Sequence, residues 1–454
     1  MDCFHVQGGL PLTGTVRAAG SKNAALPLLA ASLLFEGETR VLRLPRLNDI
    51  TTMGHLLRGL GVEIAVEEVT DDALETAVTA DGVPALPRPT GAHATGAWTM
   101  RAVRQGPTAA PYEIVRRMRA SICVLGPLLA RRGRARVPLP GGCVFGPRPV
   151  DLHVRGMEAL GAEIHLEAGV LAAEAPPGGL RGARVPLRSA FGSTVLGTAN
   201  VMMAAVLARG TTLIEGAARE PEVVGLARWL RACGARIEGE GSAEIRIEGV
   251  SGLQAVPALV PPDRIEAGTL LLAGAATRGR VRVSGARPLE LAPLAERLQA
   301  SGVQVAAGED WIEADARGVA ARAGDVTTEA YPGFPTDLQA QWTAYAATLL
   351  GSSRITDTIY PERFNHVPEL QRLGARVQRE GNSALVHGPA DLSAAPVMAS
   401  DLRASAALVI AGLAAAGTTV VRRVYHLDRG YEALEVKLGA LGARVTRAVD
   451  QQRP

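Results

Sequence analysis

The chain has 454 residues, 47% hydrophobic and 20% charged, with 48 Lys+Arg against 45 Asp+Glu for a net charge of +3. That length leaves room for roughly two to four domains with large cores, and so even a balance excludes a basic DNA-binding face or a polybasic membrane anchor. Aromatics at 4% are too few for base-stacking platforms, no long uncharged apolar run suggests a spanning helix, and Met1-Asp2-Cys3-Phe4-His5 lacks a signal-peptide pattern, so a cytoplasmic protein is expected.

In chain order, Ala/Leu-rich stretches predict helices at Lys22–Leu34, Arg119–Arg131, Thr198–Arg209, Ile265–Arg278, Asp337–Leu350 and Leu402–Ala416. They are apolar nearly all round, which places them inside a domain. Each precedes a glycine (Gly37, Gly133, Gly210, Gly279, Gly351, Gly417) suited to a left-handed helix end. Alternating segments such as Thr211–Ile214 and Thr418–Val421 then read as strands. About 25 residues further on, a second tag ends a helix and opens a strand, as in Leu60-Gly61-Val62 and Leu441-Gly442-Ala443. Its glycines are Gly61, Gly161, Gly234, Gly302, Gly374 and Gly442, in steps of 100, 73, 68, 72 and 68. Six copies of one helix–strand–helix–strand unit are therefore expected, as two compact domains of three. The long first step places a surface excursion with little regular structure between Asp71 and Pro111, a stretch rich in Pro and Gly.

Charged and polar residues open these apolar helices: Lys22 and Asn23, Arg119, Asp263 with Arg264 and Glu266, Asp337, Asp401 with Arg403. A helix start attracts anions, whereas a cation there opposes the dipole. Lys22, Arg119 and Arg403, in equivalent repeat positions, thus point to phosphate or carboxylate binding; singly, each reads better as a solvated or salt-bridged cap. The loop Leu139-Pro140-Gly141-Gly142-Cys143-Val144-Phe145-Gly146-Pro147-Arg148-Pro149 presents a thiol near Arg148, an acid or nucleophile candidate weighed evenly against a small turn residue. Asp337 is a general-base candidate, although taken alone an N-cap role is the better expectation. The four cysteines (Cys3, Cys123, Cys143, Cys233) show no CxxC spacing and read as reduced thiols. GxGxxG, GxxxxGK[ST] and HExxH are all absent, so dinucleotide, P-loop and zinc-protease readings lose support, and no metal or cofactor is expected.

These residues resemble the UDP-N-acetylglucosamine 1-carboxyvinyltransferase type of enolpyruvyl transferase, relatives of enolpyruvylshikimate-phosphate synthase. The resemblance rests on Gly20-Ser21-Lys22-Asn23-Ala24-Ala25, Met118-Arg119-Ala120-Ser121, Pro140-Gly141-Gly142-Cys143, Arg148-Pro149-Val150-Asp151-Leu152-His153 and Ala218-Arg219-Glu220-Pro221-Glu222. It continues through Pro262-Asp263-Arg264-Ile265-Glu266, Phe334-Pro335-Thr336-Asp337, Asp401-Leu402-Arg403-Ala404-Ser405 and Asp428-Arg429-Gly430-Tyr431-Glu432, and it spans all but the excursion. It implies a two-domain inside-out α/β barrel, each domain three repeated helix-and-sheet units, closing over a cleft. The domains would be 21–261 and 1–20 with 262–454.

The implied reaction adds the enolpyruvyl group of phosphoenolpyruvate to the 3-hydroxyl of UDP-N-acetylglucosamine and releases phosphate, a step of peptidoglycan synthesis. By resemblance, Cys143 protonates the methylene carbon and is the site fosfomycin alkylates. Asp337 takes the acceptor proton, and Lys22, Arg119, Arg403 and Arg429 hold phosphate and carboxylate. Asn23, Arg148, Pro149, Val150, Asp151 and Leu152 would bind substrate, as would Thr194, Val195, Asp263, Ile359, Arg363 and Asp401. Neither nucleic acid nor membrane is implied as a partner, and the oligomeric state stays open.

The chain departs from the family pattern in two places. The usual Ser-Val-Gly diphosphate stretch reads Thr194-Val195-Leu196, which sets a side chain where backbone should approach phosphate, the other register, through Ala190-Phe191-Gly192, requiring a four-residue insertion; and the usual Glu-Asn-Arg-Phe reads Pro361-Glu362-Arg363-Phe364. The alternative acceptor is therefore the 3′-hydroxyl of UMP, as in the enolpyruvyl transferases of nucleoside-antibiotic pathways. A third reading is a non-catalytic paralogue that binds phosphoenolpyruvate or a nucleotide, against which Cys143 and Asp337 both argue.

Overall fold

The structure, a computed structural model, describes residues 2–70, 94–103, 105–141, 150–189 and 192–449. Six helices form its interior: α1 (Lys22–Ala31), α2 (Leu125–Arg132), α3 (Val195–Ala205), α4 (Arg264–Ala276), α5 (Gln339–Ala346) and α6 (Leu402–Ala414). Every residue of α5 is buried, and α6 is buried from Arg403 to Leu413. Their alanines and glycines keep the helices slim, so sheets can cover them on every side.

The chain divides into two compact units. Among the described residues the N-terminal unit comprises 20–141 and 150–261, and the C-terminal unit comprises 2–19 and 262–449. The first holds α1 to α3 in one apolar core, the second α4 to α6 in another.

Each unit carries three larger sheets outside its three helices, and the N-terminal unit adds a two-stranded pair, Arg188–Ser189 with Gly192–Ser193. Five of these six larger sheets share one plan. A short edge strand runs parallel to the strand that follows a buried helix, and an antiparallel pair completes the sheet. Thr13–Arg17, for example, lies parallel to Arg280–Ser284, which pairs antiparallel with Trp311–Asp315. In the sixth, Arg134–Pro138 has only an isolated parallel bridge, Ala109 to Arg136, in place of that edge strand. The strands alternate buried and half-exposed residues, as Thr211–Glu215 does, so each sheet turns one face to the helices. This is the inside-out two-domain α/β architecture.

Three expectations need correction. The stretch expected to lack regular structure holds a strand before Pro111: Ala94–Ala102 is paired residue for residue with Val62–Thr70, and 71–93 lie outside the described residues. Ala97, Trp98 and Met100 of that strand are buried, and that packing outweighs the nearby Gly and Pro. Gly279 is not left-handed; Arg278 takes that conformation (φ 55°). Gly279 is instead needed for contact, since a Cβ there would lie 1.9 Å from the Leu12 carbonyl oxygen. Finally, Arg119–Arg131 is not one α-helix: Arg119–Val124 is a 3₁₀ turn that leads into α2.

Candidate functional site

In the C-terminal unit the three buried helices begin beside three aspartates, Asp263, Asp337 and Asp401. Two are caps. Asp263 Oδ1 accepts from the Ile265 and Glu266 amides at 2.8 and 3.0 Å, and Asp401 Oδ1 accepts from those of Arg403 and Ala404 at 2.9 and 3.0 Å. Asp337 differs, and the expectation of a cap is overturned. Its residues enter a 3₁₀ turn, Thr336–Leu338, capped by no side chain. Its carboxylate turns instead to two guanidinium groups: Arg363 Nη1 donates to Oδ1 at 2.7 Å and Arg403 Nη2 to Oδ2 at 2.8 Å.

Both arginines are fixed from behind. Arg403, 3% exposed, donates from Nη1 to the Tyr431 hydroxyl at 3.1 Å. That hydroxyl also meets Thr269 Oγ1 and Gln341 Nε2, both at 3.0 Å. Arg363 donates to Thr336 Oγ1, which donates to Asp357 Oδ2 at 2.7 Å. The other Asp357 oxygen accepts from Thr328 and from the Ile359 and Tyr360 amides. One network therefore joins Asp337, Arg403, Arg363 and the backbone of Ile359. Thr269, Gln341 and Asp357 were missed by sequence reading; the first two signal themselves only as polar side chains on apolar helices, and Asp357, in a polar strand, gives no signal at all.

Burial would raise the Asp337 pKa, but Arg403 and then Arg363 outweigh it and hold the carboxyl well below its usual range. Burial likewise opposes the Arg403 charge, and Asp337, Tyr431 and Asp263 together raise its pKa. Asp263 goes the other way: burial lifts its pKa despite Arg403. Arg429 ends the 3₁₀ turn Val424–Arg429, whose preceding residue Asp428 is gripped by Arg447 through two bonds of 2.6 and 3.0 Å.

In the N-terminal unit, Lys22 lies at the first position of α1, where Ser21 caps the helix through the Ala24 amide. Its Nζ is 3.0 Å from Asp49 Oδ2, and both side chains are nearly buried. The cation unfavourable to the dipole is thus compensated by a carboxylate. Arg119, half-buried at the start of its 3₁₀ turn, lines an open cavity of about 650 Å³ with Val150 and Asp151. Leu139, Pro140, Ile164, Leu166 and Leu171 make its apolar wall, and Arg155 and Glu158 stand at the polar side. Leu152, next in that segment, is buried, and Asn23 is half-buried beside Lys22. Thr194 and Val195, at the start of α3, form no part of the cavity wall.

Cys143, Arg148 and Pro149 lie outside the described residues. The cysteines that are described, Cys3, Cys123 and Cys233, are all buried. Burial pushes the Cys123 thiol up to about 12 and that of Cys233 to about 11, values that leave neither a ready nucleophile. Among the described residues no cluster of His, Cys, Asp or Glu could hold a metal ion, and no helix is long and apolar enough to cross a membrane.

The family model for EPSP synthase (3-phosphoshikimate 1-carboxyvinyltransferase) matches residues 6–92 and 94–438. Among solved structures, the enolpyruvyl transferase NikO from Streptomyces tendae is 25% identical, with a TM-score of 0.83 over 98% of each chain. The EPSP synthase of Acinetobacter baumannii is 16% identical with a TM-score of 0.70, covering 99% of this chain and 100% of that one, a likeness of fold alone. With the family match running through nearly the whole chain, this protein belongs to the EPSP synthase family and is an enolpyruvyl (carboxyvinyl) transferase.

Proposed function

We propose that the chain transfers the enolpyruvyl group of phosphoenolpyruvate to the 3′-hydroxyl of UMP. The observation that carries this choice is the start of α3. There the Thr194 hydroxyl accepts from the Gly197 amide at 3.2 Å, and Leu196 packs against the core. A helix start that already caps one of its donors, with leucine where backbone would approach phosphate, offers less to a diphosphate. The likeness to an enolpyruvyl transferase of TM-score 0.83 supports the same choice. An apolar wall with Asp151 and Arg155 beside it suits a ring joined to an anion.

The proposed roles are divided between domains 21–261 and 1–20 with 262–454. On the first, Cys143 gives a proton to the phosphoenolpyruvate methylene carbon, while Lys22 and Arg119 hold its phosphate. On the second, Asp337 takes the acceptor hydroxyl proton as that oxygen bonds to the central carbon, and Arg403 and Arg429 balance the carboxylate. The tetrahedral ketal then returns a methyl proton to the Cys143 thiolate and expels phosphate, which regenerates the double bond. Because Asp337 is held by two arginines, its basicity rises only when a substrate anion draws one of them away.

A second reading keeps UDP-N-acetylglucosamine, and with it a place in cell-wall synthesis; the retained Asn23 and Arg148–His153 segment favours it. Phosphate release with each acceptor separately tests the choice. UMP is expected to give the higher kcat/KM by about 100-fold or more. Preferred turnover of UDP-N-acetylglucosamine would overturn it.

A further inference from the structure

The interruption of the helix after Arg119 has two causes: Pro127 has no N–H for the Cys123 carbonyl, and a side chain takes the place of the bond just before it. In a continuous α-helix the Gly126 amide would bond to the Ile122 carbonyl, four residues back. Here the side chain of Asn200, from α3, occupies that place. Its Oδ1 accepts from the Gly126 amide at 2.7 Å, and its Nδ2 donates to the Ile122 oxygen at 2.9 Å. The second Nδ2 hydrogen goes to His153 Nδ1 at 3.0 Å. Asn200 is 0% exposed, and both its donor hydrogens are used. Gly126 is what lets it in: a Cβ there would lie 2.3 Å from the Asn200 carbonyl oxygen and 2.6 Å from Oδ1.

His153 fits the same arrangement. It follows the Val150–Leu152 segment on the helix Asp151–Ala159 and is 3% exposed. To accept from Asn200 it must be neutral and carry its proton on Nε2. Burial, then the nearby charge of Arg119, pushes its pKa down to about 3. One amide therefore ties together the Arg119 turn, the helix after the cavity-lining Val150 and Asp151, and α3.

We propose that Asn200 is a positioning residue for Arg119, an amide wedge that keeps 119–124 in the 3₁₀ form and so fixes where the guanidinium stands. The proposal rests on the reading that Arg119 holds the anion of phosphoenolpyruvate. Without the wedge, Gly126 and Ile122 can bond directly and the turn can relax toward α-helix up to the bond that Pro127 leaves unmade. A 3₁₀ helix rises about 2.0 Å per residue against about 1.5 Å, so six residues shorten by about 3 Å. The turn angle also changes, by about 20° per residue, from 3.0 to 3.6 residues per turn. A misplacement of even about 1 Å at a reacting centre can lower turnover about 100-fold.

The test uses the full-length protein, with phosphate release measured from phosphoenolpyruvate and UMP or UDP-N-acetylglucosamine in parallel. Asn200→Leu keeps the volume and removes the wedge; Gly126→Ala displaces the wedge and leaves Asn200 in place. Both are expected to lower kcat about 100-fold while the acceptor KM changes less than about threefold. In an Arg119→Ala background either change should add less than about threefold, because the effect passes through Arg119. If Arg119→Ala is itself fully active, the reading of Arg119 fails and the proposal with it. If Arg119→Ala is inactive but Asn200→Leu and Gly126→Ala turn over normally, the wedge alone is refuted. Full losses that simply add to that of Arg119→Ala, or failure of both variants to fold, would also overturn it, since the amide would then serve the core.

Discussion

Removing Arg363 tests the electrostatics of Asp337 most directly. Arg363→Met takes away one of two guanidinium groups, the one 2.7 Å from Oδ1, and leaves Arg403 at 2.8 Å from Oδ2. The arginine side chain is 7% exposed and the aspartate 25%, so water replaces only part of what is lost. A hydrogen bond to a charged partner contributes about 1.5–3 kcal/mol. In a cooperative unit of roughly 200 residues, about 2 kcal/mol lowers Tm by about 4–8 °C. The sign of the pH effect is fixed as well. A carboxyl depressed in the folded state stabilises above its unfolded pKa, and that contribution is lost as pH falls through the folded pKa. With Arg363 gone the Asp337 pKa rises toward its ordinary value, so less stability is gained across the acid range. The acid limb of kcat should move to higher pH for the same reason. Calorimetry of Arg363→Met, Asp337→Asn and the double variant gives the coupling, expected at about 1.5–3 kcal/mol. A coupling below about 0.5 kcal/mol, or an acid limb that stays in place, would refute the argument.

Two further outcomes are expected. Asp49→Asn leaves the nearly buried Lys22 charge without its carboxylate, which should destabilise by about 3 kcal/mol and enlarge the Tm increase that inorganic phosphate produces; a smaller phosphate effect than in the unaltered protein would contradict this. Asp401→Ser preserves a good N-cap and should change stability by less than about 1 kcal/mol, whereas Asp337→Ser strands two buried arginines and should cost about 3 kcal/mol; equal losses in urea denaturation would show that Asp337 is only a cap.

Helices, strands and their repetition were legible because they rest on local chemistry. The Ala/Leu-rich stretches are helical and buried, and both families of glycine mark ends where the backbone turns left-handed, as at Gly133 and Gly442. What escaped was set by contacts distant in sequence. Gly126-Pro127 marks a weak point in the stretch after Arg119, since proline offers no N–H to the carbonyl four residues back, but that an amide from Asn200 enters there is set by a contact distant in sequence. Gly279 looks like a helix end, yet what demands glycine is the Leu12 carbonyl, brought alongside by the parallel pairing of Thr13–Arg17 with Arg280–Ser284. The strand Ala94–Ala102 was hidden among turn residues because its stability comes from pairing with Val62–Thr70 rather than from its own composition.

The repeat explains why the site was half legible. Three copies in the C-terminal unit place an aspartate at each buried helix start, and two of those carboxylates take the work that backbone geometry offers, receiving two amides each. From sequence alone the third is indistinguishable, and capping is the better expectation. What changes its role lies elsewhere: Arg403 is supplied by the next copy, and Arg363 follows the strand Gly351–Asp357, held there by Thr336 and Asp357. Equivalent positions in a symmetric fold begin with equal prospects of being structural. A position becomes available for chemistry where the symmetry is broken, and the break is visible only once partners from other copies are in place. The same reasoning covers α3. It directs an amide into a neighbouring helix, and that departure marks Asn200.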